Sequence, residues 1–179
     1  MAAADAGGAA HRSAALPPPG HGTLRQDDFT IALRAGALQV KVTPLAEEVI
    51  RLAAPDTYTR LHALAESRRT DAARVAGAPA LFLVSFFSYQ PATRFTPEDV
   101  QLVHQGRLLH PAAILPLTPG WGAQRLRQQE TQSAVYVFDA ILDFDLPLDL
   151  RYGVAESDAW TSIIPRLELE RAKVRARAG

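Results

Sequence analysis

Residues 80–89 read ALFLVSFFSY. In an extended chain Leu81, Leu83, Phe87 and Tyr89 point one way, and Phe82, Val84 and Phe86 the other. A strand that is apolar on both faces has to be covered on both. The stretch is therefore read as a central strand, one face turned into a core between sheets and the other under a lid. The helical stripe between Tyr58 and Ala76 is the segment that can supply the lid.

Upstream, Phe29, Ile31 and Leu33 alternate with Thr30, Ala32 and Arg34, and beyond Ala35-Gly36 Leu38, Val40 and Val42 alternate with Gln39, Lys41 and Thr43. Two period-two runs around a glycine predict a β-hairpin. Thr43-Pro44 then offers an N-cap followed by proline at the first helical position. Leu45, Val49 and Leu52 share a helical face, Glu47 and Arg51 are spaced four apart, and Pro55 ends the segment. An extended reading of Val49–Ala53 is the alternative. Asp56 can cap the next helix, whose stripe runs through Tyr58, Leu61, Ala65, Ala72 and Val75 to Gly77. Arg60, Arg68, Arg69 and Arg74 lie on it, but Glu66 and Asp71 interrupt the charge, and a solvated face is the plainer reading than a nucleic-acid contact.

Downstream, short strands are predicted at Val100–Val103, Leu108–Leu109, Ala113–Leu117, Thr131–Phe138 and Leu146–Tyr152. Turn chemistry separates them at Gln90-Pro91, Gln105-Gly106 and Thr118-Pro119-Gly120. Pro147 marks an edge or a strand start. Seven or so such strands argue for a mainly β, antiparallel sandwich with a helical insertion at about 44–77. Pro165–Gly179 places Glu168 and Glu170 before Arg171, Lys173, Arg175 and Arg177, the order the helix dipole favours, and predicts a C-terminal helix over 164–177 with Pro165 in its first turn. Its basic end can meet phosphates or anionic lipid headgroups at a membrane surface. Residues 1–25, rich in Ala, Gly and Pro, read as a disordered leader carrying His11 and His21, and residues 26–179 as a single domain. The leader has neither the cationic start nor the apolar run of a secretory signal.

The stretch from Ala80 to Tyr152 resembles the immunoglobulin-like sandwich of small bacterial envelope proteins and lipoproteins of unknown function. The resembling pieces are LFLVSFFSY, FTPEDVQLV, the hairpin at HQGR, the turn LTPGW, and the strands AVYVFD and PLDLRY. The resemblance implies a binding or scaffolding module, extrinsic to an envelope. With no signal peptide the chain reads as soluble and by default cytoplasmic, whereas the resemblance, from which it departs in lacking a lipobox cysteine, implies a periplasmic or envelope-extrinsic location.

Composition narrows the chemistry. Nineteen basic residues balance nineteen acidic ones, and there is no cysteine. The charge balance argues against a chain-wide polyanion-binding surface but leaves room for a local patch, and the absence of cysteine excludes disulfides, thiolate metal sites and cysteine nucleophiles. Seventeen of the nineteen basic residues are Arg and Asn is absent, which reads as GC-rich coding bias. None of the common nucleophile-elbow, phosphate-loop, dinucleotide or zinc-protease motifs is present. His104 and His110 lie across a predicted hairpin and lack a third ligand, and His62 reads as a packing residue. Asp139, Asp143, Asp145 and Asp149 are weak calcium candidates, since clustered carboxylates can supply several oxygens. The other reading is solubilising charge. Trp121, followed by Arg125 and Arg127, and Trp160 are candidate partner-binding aromatics, with Arg171, Lys173 and Arg175 beside them on the C-terminal helix. Core packing is the alternative for both Trp rings. Taken together, the residues predict a non-enzymatic protein-interaction or scaffolding module with no cofactor and no nucleic-acid partner, suited to an extrinsic accessory role in a larger membrane-associated assembly. A small-ligand or carbohydrate-binding module built on Trp121 is the alternative, and a hydrolase using the acidic cluster with His104 or His110 is less favoured.

Overall fold

The computed structural model describes residues 16–179. Strand β1 (Ile31–Ala35) turns at Gly36, whose φ of +59° suits glycine, into β2 (Leu38–Pro44). The hairpin pairs Ile31 with Val42 and Leu33 with Val40, burying all four. Phe29, expected in the first strand, closes a short 3₁₀ turn, Gln26–Phe29, and is fully buried.

The decisive stretch forms β3 (Pro79–Ser88), third in a five-stranded sheet ordered β1-β2-β3-β9-β7, with β7 at Ala113–Pro116 and β9 at Thr131–Asp139. A second sheet runs β11-β10-β5-β6, from Ala155–Ser157, Leu148–Tyr152, Val100–His104 and Arg107–Leu109. A two-stranded ribbon joins β4 (Thr93–Arg94) to β8 (Arg125–Leu126). All these strand pairs are antiparallel. Phe82, Val84 and Phe86 of β3 and Tyr136 and Phe138 of β9 share one buried cluster with Val100, Leu102, Leu148 and Leu150 of the second sheet.

Helices take nearly as much of the chain as strands, about 33% against 35%, so the fold is mixed α/β and sheet-rich, a correction to the mainly β expectation. The physical reason lies in two long helices, α2 (Pro55–Val75) and α3 (Trp160–Ala178). The insertion also differs in detail. Thr43 does not cap a helix: it is buried in β2, its hydroxyl 2.7 Å from that of Thr30. Leu45 N–H then donates to Leu81 O (2.9 Å), leaving only one turn, α1 (Glu47–Ile50). Pro55 begins α2, where a missing N–H costs little, and Asp56 sits in the first turn.

The lid expected over β3 is α2, and it covers half of the strand. Ala72 and Ala76 pack on Val137 with Leu81, Ala113 and Leu115. Beyond Leu83 the outer face is open, and Ser85 and Phe87 are half-buried. Helix α3 starts at Trp160, so Pro165 lies inside it rather than in its first turn. Trp160, Ile163, Leu167, Glu170 and Val174 form its buried stripe.

Residues 21–25, assigned by composition to a disordered leader, belong to the folded domain. His11 lies outside the described residues. Leu24 N–H donates to Leu52 O and Ala54 N–H to Leu24 O. At Gly22 a Cβ would sit 2.2 Å from the Leu52 carbonyl, so this approach requires glycine. Thr23 binds Glu170 through both its N–H and its hydroxyl (2.9 and 2.8 Å), and His21 O accepts from Arg177 (2.8 Å).

Candidate functional site

Both tryptophans are inside. Trp121, in a 3₁₀ turn entered through Gly120 at φ +88°, packs edge-on to Phe95 (5.1 Å between ring centroids) and tilted on Phe86 (5.8 Å). Trp160 is fully buried and its Nε1–H donates to Phe144 O (3.0 Å). These rings fill core volume, so neither offers a partner or a sugar a stacking surface. Arg125 and Arg127 are exposed, as are Lys173 and Arg175, whereas Arg171 pairs with Asp145 (3.2 Å) and Arg177 with Glu170 (2.9 Å).

The four aspartates point to separate tasks. Asp139 accepts Ala78 N–H (2.9 Å), Asp143 accepts Asp145 N–H (3.0 Å), and Asp149 lies within β10 opposite Val103. Among the described residues no three His, Asp or Glu side chains are grouped to hold a metal. His104 is buried; its Nδ1–H donates to Pro147 O (3.0 Å) and its Nε2 accepts Asp143 N–H (3.1 Å), which assigns the neutral tautomer. His110 is exposed on the other side of the hairpin, beside Gln101 (3.4 Å).

A cluster of polar side chains that sequence spacing revealed only as a Glu47–Arg51 pair ties α1 to α2. Glu47 Oε2 accepts from Arg51 Nε (2.7 Å) and Tyr58 Oη (3.0 Å), while its Oε1 meets His62 Nδ1. His62 stacks on Tyr58 at 5.3 Å. Burial raises the pKa of the Glu47 carboxyl, but the bonds from Arg51, His62 and Tyr58 outweigh it and hold the group below its ordinary value. Glu47 in turn raises Arg51, and burial, then Glu47, raises Tyr58. With three side-chain donors on it, this carboxylate works as a clamp.

Two surfaces on the five-stranded-sheet side offer room for recognition. One is a groove of about 400 Å³ between α1, α2 and the start of β3. Ala46, Ala65, Ala72 and Ala80 leave the space, Phe144 lies beneath, and Ile141 stands exposed at the rim. The other is the open half of the five-stranded sheet. Register aligns cross-strand rows on this outer face. The rows Leu81–Val137–Ala113 and Thr43–Leu83–Val135–Leu115 lie at the lid end. The next two, Ala32–Lys41–Ser85–Ser133 and Arg34–Gln39–Phe87–Thr131, are exposed or half-buried. Tyr89 lies just beyond the last row, with the Arg34 guanidinium carbon 3.9 Å from its ring centre and Phe87 edge-on to it at 5.0 Å. These two rows hold two cations and no carboxylate. Asp27 approaches Lys41 from outside at 3.5 Å, and Glu130, just before β9, is turned to Gln132 on the opposite side of the sheet.

No family model matches this chain, and no curated protein or solved structure matches it either. No described helix is long and apolar enough to cross a membrane.

Proposed function

We propose that the domain is a non-catalytic protein-interaction module, and that it binds a carboxylate-rich protein surface through the open half of the five-stranded sheet. The observation that carries this is the pair of outer rows holding Phe87, Arg34 and Lys41 and no acid, with Tyr89 just beyond them under Arg34 and edge-on to Phe87. Aromatic and Arg side chains dominate the energy of protein interfaces, and complementary charge selects the partner. The role suits an accessory subunit of a larger assembly. Antiparallel pairing and a core shared by the two sheets support the immunoglobulin-like sandwich as the finer description of the architecture.

The test compares the full chain with an Arg34→Glu/Phe87→Thr variant as immobilised baits for extract of the source organism, at matched melting temperature. A protein retained by the parent and lost by the variant, with retention falling as salt rises, supports the reading. Equal recovery by both baits, or none by either, overturns it.

The alanine-lined groove favours a second reading, a module for a small apolar ligand, since its volume falls within the ordinary range for such sites. Ala80→Leu would fill it. If the groove is the binding site, this variant loses the fluorescence enhancement of anilinonaphthalene sulfonate shown by the parent, while Arg34→Glu/Phe87→Thr keeps it.

A further inference from the structure

The ribbon of β4 and β8 pairs Thr93 with Leu126 and Arg94 with Arg125. Directly opposed residues of an antiparallel pair project to the same side. Leu126 is fully buried and Thr93 half-buried, so this pair faces inward, and both arginines stand exposed on the outer side. Like charges set directly opposite one another destabilise a strand pair. Nothing among the described residues relieves this one: neither guanidinium makes an ion pair or hydrogen bond to any of them, although Arg51, Arg69, Arg74, Arg151, Arg166 and Arg177 all do.

The two arginines border a cleft of about 520 Å³ between the 94–96 and 123–125 segments. Its other lining residues are Phe95, Thr96, Ala123 and Gln124. The cleft is held in shape from beneath. Phe95 N–H donates to Gln124 O (3.1 Å), Thr96 N–H to Tyr152 Oη (2.8 Å), and Gln124 is fixed at φ +51°, a conformation non-glycine residues seldom adopt. Thr96 and Gln124 stand exposed at the same mouth, the Thr96 side chain hydrogen-bonded to Tyr152.

We infer that the Arg94–Arg125 pair is a binding site for a phosphate monoester. Two planar forks side by side offer several N–H donors to one group. A carboxylate would neutralise one of the two charges. A phosphate monoester near neutral pH carries close to two negative charges and three acceptor oxygens, which matches both guanidiniums at once. The site is separate from the outer sheet rows and does not depend on the interaction reading above.

The experiment is a nuclear magnetic resonance titration of the full chain with phenyl phosphate, at ionic strength held constant with sodium chloride. Saturable amide shifts confined to 93–96 and 123–126 are expected. Arg94→Gln and Arg125→Gln should each weaken binding about tenfold or more, as loss of charged hydrogen bonds does, and the double variant should abolish it without lowering the melting temperature. A phosphoserine peptide and vesicles containing phosphatidic acid, run in parallel, identify whether a side chain or a headgroup carries the phosphate best, and saturation at this cleft by either supports the site. Shifts that never saturate, that map to the basic end of α3, or that survive both substitutions within twofold overturn it. So does equal binding of phenyl phosphate and benzoate.

Discussion

Glu170 has a side chain only 5% exposed, yet it carries a charge. Burial raises its pKa, but bonds from Arg177 and Thr23 outweigh this and hold the carboxyl below its ordinary value of 4.5. A depressed carboxyl pKa contributes stability that is present above the unfolded-state value and lost as pH falls through the folded one. Glu170→Ala should therefore cost about 2–3 kcal/mol in urea unfolding at pH 7, the loss of hydrogen bonds to a charged group. The gap between variant and parent should close as the pH drops below 4.5. Glu47 has the same sign and belongs to the same acid-sensitive window. Gly22→Ala should cost about 1–3 kcal/mol by the same assay, because its Cβ meets the Leu52 backbone. Neither residue was legible beforehand. Gly22 looked like linker composition, and the partner of Glu170 lies 147 residues away. The position of Glu170 on the stripe Trp160, Ile163, Leu167, Glu170, Val174 was the one available signal, and its charge masked it.

The elements themselves were largely readable, because period-two and helical stripes report burial directly. The hairpin, β3, β5, β9 and β10 lie where the alternation places them. Phe86 is fully buried and ringed by Phe95 (4.6 Å), Trp121 and Tyr152. Phe86→Asp is expected to lose more than about 4 kcal/mol, enough to leave no cooperative melt in calorimetry, since its charge would have no partner there. Element boundaries followed tertiary bonds the pattern does not contain: Leu45 to Leu81 O keeps the chain after β2 extended. Sequence places Pro44 and Pro165 at helix starts, yet Pro44 ends β2 and Pro165 lies inside α3, while Pro55, expected to end a short helix, begins α2. Inside α3 Pro165 removes one helical hydrogen bond, so Pro165→Ala should raise stability by about 1–3 kcal/mol, seen as a higher melting temperature.

At the scale of the molecule, zero net charge conceals its distribution. The open sheet rows and the Arg94–Arg125 cleft are both cationic, and each becomes visible only when register sets residues from distant strands side by side. The linear order of residues does not display this, since Lys41, Ser85 and Ser133 form one row from three strands far apart in the sequence. The aromatic residues it did single out, Trp121 and Trp160, were spent inside.

The bonding of residues 21–24 also bears on where the folding unit can be cut. A chain trimmed to start at Leu24, where the Ala-, Gly- and Pro-rich composition fades, would strip Glu170 of both Thr23 donors and leave Arg177 without the His21 carbonyl. The stretch that looks most dispensable is thus a strap across the closing helix, and a shortened version should melt several degrees lower than one beginning at Leu16.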